Sequence, residues 1–194
     1  MIDTDVNESL TLADVVDAWR YESRVSALVT WPEVREAVAL AERQATKPVS
    51  AEKILSIADK LLPQVVSMEG VAQLAQLIWT RAGVKTDRRR EGFVAAPIGE
   101  TILRTICSLA RRSQVVQGVS QASDGCVLEA TQPSDMWSLA GTLVITIRQH
   151  TANISEVTAV ATVTGQMFDW GKNGRCLQAL FDDLTAVSPQ SRAA

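Results

Sequence analysis

The chain has 194 residues, of which 46% are hydrophobic and 21% are charged. This balance is typical of a folded protein and excludes the low-hydrophobicity, high-charge composition of disordered chains. The formal net charge of −3 provides no basic surface for nucleic acid. No apolar run approaches the roughly 18 to 20 residues of a membrane span, and the acidic start is unlike a secretory signal. A cytoplasmic protein without nucleic-acid partners or transmembrane segments is therefore expected.

Residues 10–84 carry helical periodicity and are predicted to form an N-terminal helical unit. A first helix is predicted to place four apolar residues on one side, namely Leu12, Val15, Val16 and Trp19. A second begins near Trp31-Pro32 and ends near Gln44, and two more are predicted over residues 51–62 and 68–82. Helices of this length are marginal alone, so another part of the chain or another molecule must cover their apolar stripes.

Residues 85–97 show no periodicity and are predicted to be a linker. Three consecutive arginines, Arg88 to Arg90, could bind a phosphate, but Asp87 and Glu91 flank them. The mixed charge favours an exposed, solvated loop between two units.

Residues 98–187 are predicted to form a two-layer α/β sandwich of order α-β-β-β-β-α. A helix runs from Ile98 to Arg112, and four strands follow at about 114–121, 126–131, 143–148 and 157–164. Ser123-Asp124-Gly125 predicts a tight hairpin between the first two strands. Asp169 is predicted to cap a closing helix. The predicted fold class is therefore α+β, with a four-stranded antiparallel sheet whose apolar face is covered by both helices.

Two segments of the second half carry a resemblance to a known group. They are Trp137-Ser138-Leu139-Ala140-Gly141-Thr142 and Phe168-Asp169-Trp170-Gly171-Lys172-Asn173. The second segment resembles the Asp-Trp-Gly-Lys-Asn motif of small bacterial α/β-sandwich domains of unassigned function. In the first, Leu139-Ala140 stand between the tryptophan and the glycine, which departs from that group's pattern. The resemblance covers the second half of the chain only, and it implies a fold rather than an activity.

The Asp-Trp-Gly-Lys-Asn motif has two possible roles. In a structural role, Asp169 accepts hydrogen bonds at a helix start and Trp170 packs over the sheet edge. In a binding role, Lys172 and the helix N-terminus hold an anion, although Asp169 would repel it. The structural role is favoured.

No catalytic constellation is apparent in the sequence. The single histidine, His150, falls in a predicted loop, and no nucleotide-binding, zinc-protease or serine-hydrolase motif occurs. Cys107, Cys126 and Cys176 form no metal-binding pair and are expected to be buried thiols. Neither a cofactor nor a metal site is expected.

By elimination, the first hypothesis is a non-enzymatic protein-interaction module that docks on a partner or on a second copy of itself. The alternative is a binder of a small apolar or amphipathic ligand held between sheet and helices, and an enzyme comes third. Tryptophan is enriched in binding hot spots, and the first helix is tethered at one end only. The candidate binding residues are Val16, Trp19, Trp137, Arg148, Trp170 and Lys172.

Overall fold

The fold is built on one antiparallel sheet of five strands. The computed structural model describes residues 17–45, 85–134, 140–164 and 171–186. The strands are listed in chain order: β1 (Lys85–Val94), β2 (Val116–Ala122), β3 (Gly125–Gln132), β4 (Gly141–Thr151) and β5 (Ile154–Thr164). They lie side by side in the order β1-β5-β4-β3-β2, so β1 and β2 are the two edges.

Residues along the strands alternate between an apolar inner face and a more polar outer face, as a side-chain period of two requires. On β4 the buried inner residues are Leu143, Ile145 and Ile147, and on β5 they include Val157 and Ala159. The half-buried residues between them point outward and are mostly threonine and valine. The alternation fixes the register, because a slip of one residue would put the apolar set into water.

Helices cover the inner face. After a short 3-10 helix (Ala18–Tyr21) come α1 (Val25–Leu28), α2 (Pro32–Arg43), α3 (Ile98–Arg111) and α4 (Lys172–Thr185). α3 contacts β4 and β5, α4 contacts β1 and β5, and α2 packs on α3. Their buried residues belong with the inner face to one hydrophobic cluster. Among the described helices, none is long and apolar enough to cross a membrane.

The α+β class is confirmed, but the prediction of four strands is wrong, because the sheet has five. The additional strand is β1, whose ten residues lie within the predicted linker 85–97 and pair with β5 without interruption. The apolar alternation that marks an internal strand is missing because β1 lies at an edge and its residues from Asp87 to Arg89 are exposed on both faces. Tertiary pairing therefore overrode local composition.

Other predicted elements agree with the structure. Ala122 pairs with Gly125, which confirms the tight hairpin at Ser123-Asp124, and the helix predicted from Trp31 to Gln44 is α2. The cap of α4 is a correction, because Gly171, in the left-handed conformation at φ 76°, takes the N-cap position predicted for Asp169. The helices predicted over 51–62 and 68–82 lie outside the described residues.

Candidate interaction surface

Three of the exposed large apolar side chains lie at one end of the sheet, and a fourth, Leu40, lies on α2. Among the described residues there are four: Phe93 (62% exposed), Leu40 (55%), Tyr21 (54%) and Ile154 (36%). Phe93 is near the end of β1, Ile154 begins β5, and Tyr21 reaches the β4–β5 turn. We refer to Tyr21, Phe93, His150 and Ile154 as the end surface. Exposed apolar groups that cluster in this way mark interaction sites more often than scattered ones do.

The antiparallel strands bring these residues together. Phe93 pairs with Glu156 of β5, because the end of β1 lies beside the start of β5. Glu156 in turn pairs with Arg148 of β4, two residues before His150. The rings of Phe93 and His150 are 4.9 Å apart at 54°, a tilted aromatic contact on the outer face. The end surface thus combines the end of β1 with the β4–β5 hairpin, which lies far from β1 in sequence.

Tyr21 is brought to this end by the way the 3-10 helix crosses α3. The Tyr21 hydroxyl lies 3.4 Å from Oδ1 of Asn153, in the β4–β5 turn. The preceding residue, Arg20, donates from Nε and Nη2 to Glu100 Oε2 at 3.0 and 2.6 Å. Glu100 is buried, and its other oxygen accepts a 2.6 Å bond from Arg104. This two-arginine clamp fixes the segment that carries Tyr21, and charge-assisted bonds of this type are the stronger hydrogen bonds in proteins.

Charged residues border the end surface. Arg148 and Glu156 face each other across β4 and β5 in the row that ends at Phe93. Arg89 and Glu91 follow on the outer face of β1, where Arg89 donates to Glu91 at 2.8 Å. Both side chains are exposed. The apolar group therefore has a rim of both charge signs, as protein-binding surfaces commonly do.

A second polar cluster joins α3 to α4. Ser108 Oγ donates to Asp183 Oδ2 at 2.7 Å, and Arg112 donates to the same oxygen. Burial raises the pKa of Asp183, but the hydrogen bonds from Ser108 and Arg112 outweigh it, so that the pKa lies below its ordinary value. Arg112 also donates to the carbonyl of Ala179 at 3.1 Å. These groups are hydrogen-bonded to one another, so the cluster stabilises the packing of α3 against α4.

The cysteines show no sign of reactivity. Burial raises the pKa of Cys107 to about 11 and that of Cys126 to about 12. Burial also raises the pKa of Cys176, although its sulfur accepts a bond from Gln114. All three are free thiols. In the parts of the chain that the structure describes, no three His, Cys, Asp or Glu residues are grouped so that they could hold a metal ion.

Of the three predicted site residues that the structure describes, one lies at the end surface. Arg148 lies at its rim, whereas Trp19 is half-buried and packs against the core. Lys172 Nζ donates to the carbonyl of Pro133 at 2.6 Å and so ties the start of α4 to the end of β3. Three predicted residues, Val16, Trp137 and Trp170, lie outside the described residues.

Sequence reasoning missed Phe93, Tyr21 and Ile154. Phe93 was not among the candidate binding residues because residues 85–97 are predicted to be a linker. A signal was present: Asp87, Arg89 and Glu91 alternate in charge at a spacing of two and lead to Phe93 at the same spacing, which is the period of a strand face. Tyr21 and Ile154 gave no comparable signal, because their position depends on contacts between distant segments.

Comparison with family models, with curated proteins and with solved structures finds no match for this chain.

Proposed function

We propose that the protein is a non-enzymatic interaction module that docks on a partner protein, or on a second copy of itself, through the end surface. The observation that carries this proposal is the exposure of Phe93. Phe93 is 62% exposed, and its ring contacts that of His150, with Tyr21 and Ile154 at the same end of the sheet. Leaving this much apolar area in water has a free-energy cost that a partner would remove, at about 25 cal/mol per Å² of apolar surface.

The arrangement of the end surface fits what binding surfaces require. Binding energy concentrates in a few aromatic or apolar residues near the centre of a contact, surrounded by polar groups. Here Phe93 and His150 form the centre, and Arg148, Glu156 and Glu91 lie around them. The backbone beneath is hydrogen-bonded antiparallel sheet, with one register shift around His150, so little ordering would be needed on binding.

The inner face of the sheet supports an interaction module over a binder of small apolar ligands. A ligand held between sheet and helices would have to contact side chains such as Leu143, Ile145 and Leu180. These are at most 2% exposed and belong to one packed cluster. Free thiols at Cys107, Cys126 and Cys176 fit a reducing compartment, which supports a cytoplasmic location.

Substitution of Phe93 tests the proposal. In the full-length protein, Phe93→Ser should leave the fold intact, because the ring is mostly in water, and should reduce retention of the protein's partners on an affinity column by tenfold or more. That is the loss expected for a central aromatic contact worth about 2 kcal/mol. The measurement is quantitative mass spectrometry of the proteins retained by wild type and variant at equal loading.

Leu40→Ser is the matched control, because Leu40 is similarly exposed but lies on α2, away from the end surface. It should retain the wild-type partners. Equal retention by the Phe93 variant, with its fold intact by circular dichroism, would overturn the proposal.

A further inference from the structure

The two edges of the sheet are built differently. β2 has seven residues, and its pairing with β3 shifts register between Val116 and Gly118. Its residue Gln121 is hydrogen-bonded to the N-terminal segment. The Gln121 side chain accepts from the backbone N–H of Val25 at 3.0 Å and donates to the carbonyl of Ser23 at 2.8 Å. Bulges and covering segments are the devices by which proteins protect a sheet edge from further pairing.

β1 carries neither device in the described structure. Its ten residues pair with β5 in unbroken register from Lys85 to Val94. It contains no proline, and no other described strand lies along its outer side. In an antiparallel ladder, alternate residues direct their N–H and C=O groups to the outer side. Within the described structure, β1 therefore offers a long row of backbone groups on which another strand can pair.

The charges on the outer face of β1 are complementary to themselves. Asp87, Arg89 and Glu91 alternate in sign at a spacing of two, and all three are exposed. When a strand pairs with its own copy about a twofold axis perpendicular to the sheet, opposite residues lie on the same face. If Arg90 lies opposite its own copy, Arg89 lies opposite Glu91 twice. Opposite charges directly across an antiparallel pair are stabilising.

The other positions fit this register. Asp87 falls opposite Phe93, at the end surface, and Arg88 falls opposite Gly92, which has no side chain to collide with it. The register pairs residues 86–94, which is nearly the whole strand.

Arg88 and Arg90 lie on the inner face of β1 and could oppose such pairing, because inward-pointing charges on an edge strand discourage it. Arg88 falls opposite Gly92 in this register, and the Arg90 guanidinium is directed away from the edge and toward α4. Its carbon lies 4.8 Å from the centre of the Phe181 ring, and its Nη1 donates to Gln178. The two Arg90 charges would thus sit over their own α4 helices rather than at the contact.

We propose that β1 pairs with β1 of a second copy to form a homodimer with a continuous ten-stranded antiparallel sheet. The inference rests on the proposed function, of which self-association is one form, and it names the second copy as the occupant of this edge. Each dimer contains two Arg89–Glu91 pairs across the contact.

A charge-reversal series in the full-length protein tests the dimer. Sedimentation across a range of protein concentrations should show a dimer for wild type. R89E and E91R should each weaken the dimer by tenfold or more, because two attractive pairs become repulsive. The double variant R89E/E91R should recover the wild-type dissociation constant. R35E is the control, since Arg35 is exposed on α2, and it should leave the dimer unchanged.

Amide hydrogen exchange of β1 gives a second readout. Protection of residues 86–94 should rise with protein concentration in wild type and in the double variant, but not in R89E. A monomeric wild type, or a dimer that is insensitive to R89E or not restored by the double variant, overturns the inference. The proposed function is tested separately, because a monomer whose partner retention still depends on Phe93 would refute the dimer alone.

Discussion

At Gly99 the N-terminal segment passes close to the start of α3. A Cβ atom at this position would lie 2.2 Å from the carbonyl oxygen of Trp19 and 2.9 Å from those of Arg20 and Glu22. These are backbone atoms, so they cannot swing aside as a flexible side chain would. The glycine is needed so that the 3-10 helix can cross α3 and bring Tyr21 to the end surface.

Gly99→Ala should therefore destabilise the protein by about 1 to 3 kcal/mol, as overpacking at a tight contact usually does. Displacement of residues 19–22 should also weaken partner retention, because Tyr21 moves with them. The measurement is the free energy of unfolding from urea titration of both proteins.

Gly174→Ala is the matched control for that substitution. Gly174 lies in α4 with nothing within 4 Å of a built Cβ. Alanine there should be neutral or stabilising by up to about 1 kcal/mol, because it is the better helix former. Equal stability of the Gly99 variant and wild type would show that the close approach has no energetic consequence.

Residue-scale prediction from sequence succeeded where the signal was local. The period-two pattern of residues 143–148 predicts a strand, and the structure confirms it as part of β4, with Leu143, Ile145 and Ile147 buried on the inner face. The role of Gly99 could not be found in this way, because the carbonyls that require it are almost eighty positions away in sequence. The expected burial of the cysteines holds fully for Cys126, while Cys107 and Cys176 are partly buried.

Among the elements, α3 and α4 are joined by the tie at Asp183. Because its pKa is lowered in the folded state, ionised Asp183 stabilises the fold at pH values above its unfolded pKa of about 3.9. That contribution is lost as the pH falls through the lower, folded value. Below that value the Asp183 carboxyl is protonated in both the folded and the unfolded chain, so it no longer contributes to the free energy of unfolding.

Asp183→Asn should lower the free energy of unfolding by about 1 to 3 kcal/mol at neutral pH, because the substitution leaves Arg112 without its charged partner. The difference in the free energy of unfolding between variant and wild type should become smaller as the pH falls below about 4. Urea titration at a series of pH values measures it, with Asp182→Asn as the control on the exposed side of α4. A deficit that persists undiminished in acid would show that packing, rather than the ionised carboxylate, accounts for the effect.

Element-scale prediction failed at β1 for a physical reason. An edge strand needs apolar residues only at the positions that another layer covers. In β1, the Phe181 side chain of α4 contacts Gly92 and Arg90. The outer face of β1 is exposed from Asp87 to Phe93, and Arg88 is exposed on the inner face as well, so the composition of the strand resembles that of a loop. The two central strands, β4 and β5, are covered along their length and were predicted close to their observed bounds.

At the scale of the whole molecule, the described chain is a sheet with one face covered by helices. The half-buried outer face carries Val127, Val144 and Val160 among threonines, as the alternation predicted. The end surface lies where this face meets the β4–β5 turn. The general class and the covered face followed from sequence periodicity. The gathering of Tyr21, Phe93 and Ile154 did not, because it depends on the order of the strands in the sheet.

The most direct test of the docking role is photo-crosslinking from the end surface. A photoreactive phenylalanine analogue placed at position 93 should yield covalent adducts with another protein chain on irradiation under native conditions. The same analogue at position 40, equally exposed on α2, should yield few. The adducts should be specific to position 93 and should be reduced by Gly99→Ala, which is expected to displace Tyr21. Equal adduct yields from the two positions, or none from position 93, would contradict the docking role of the end surface.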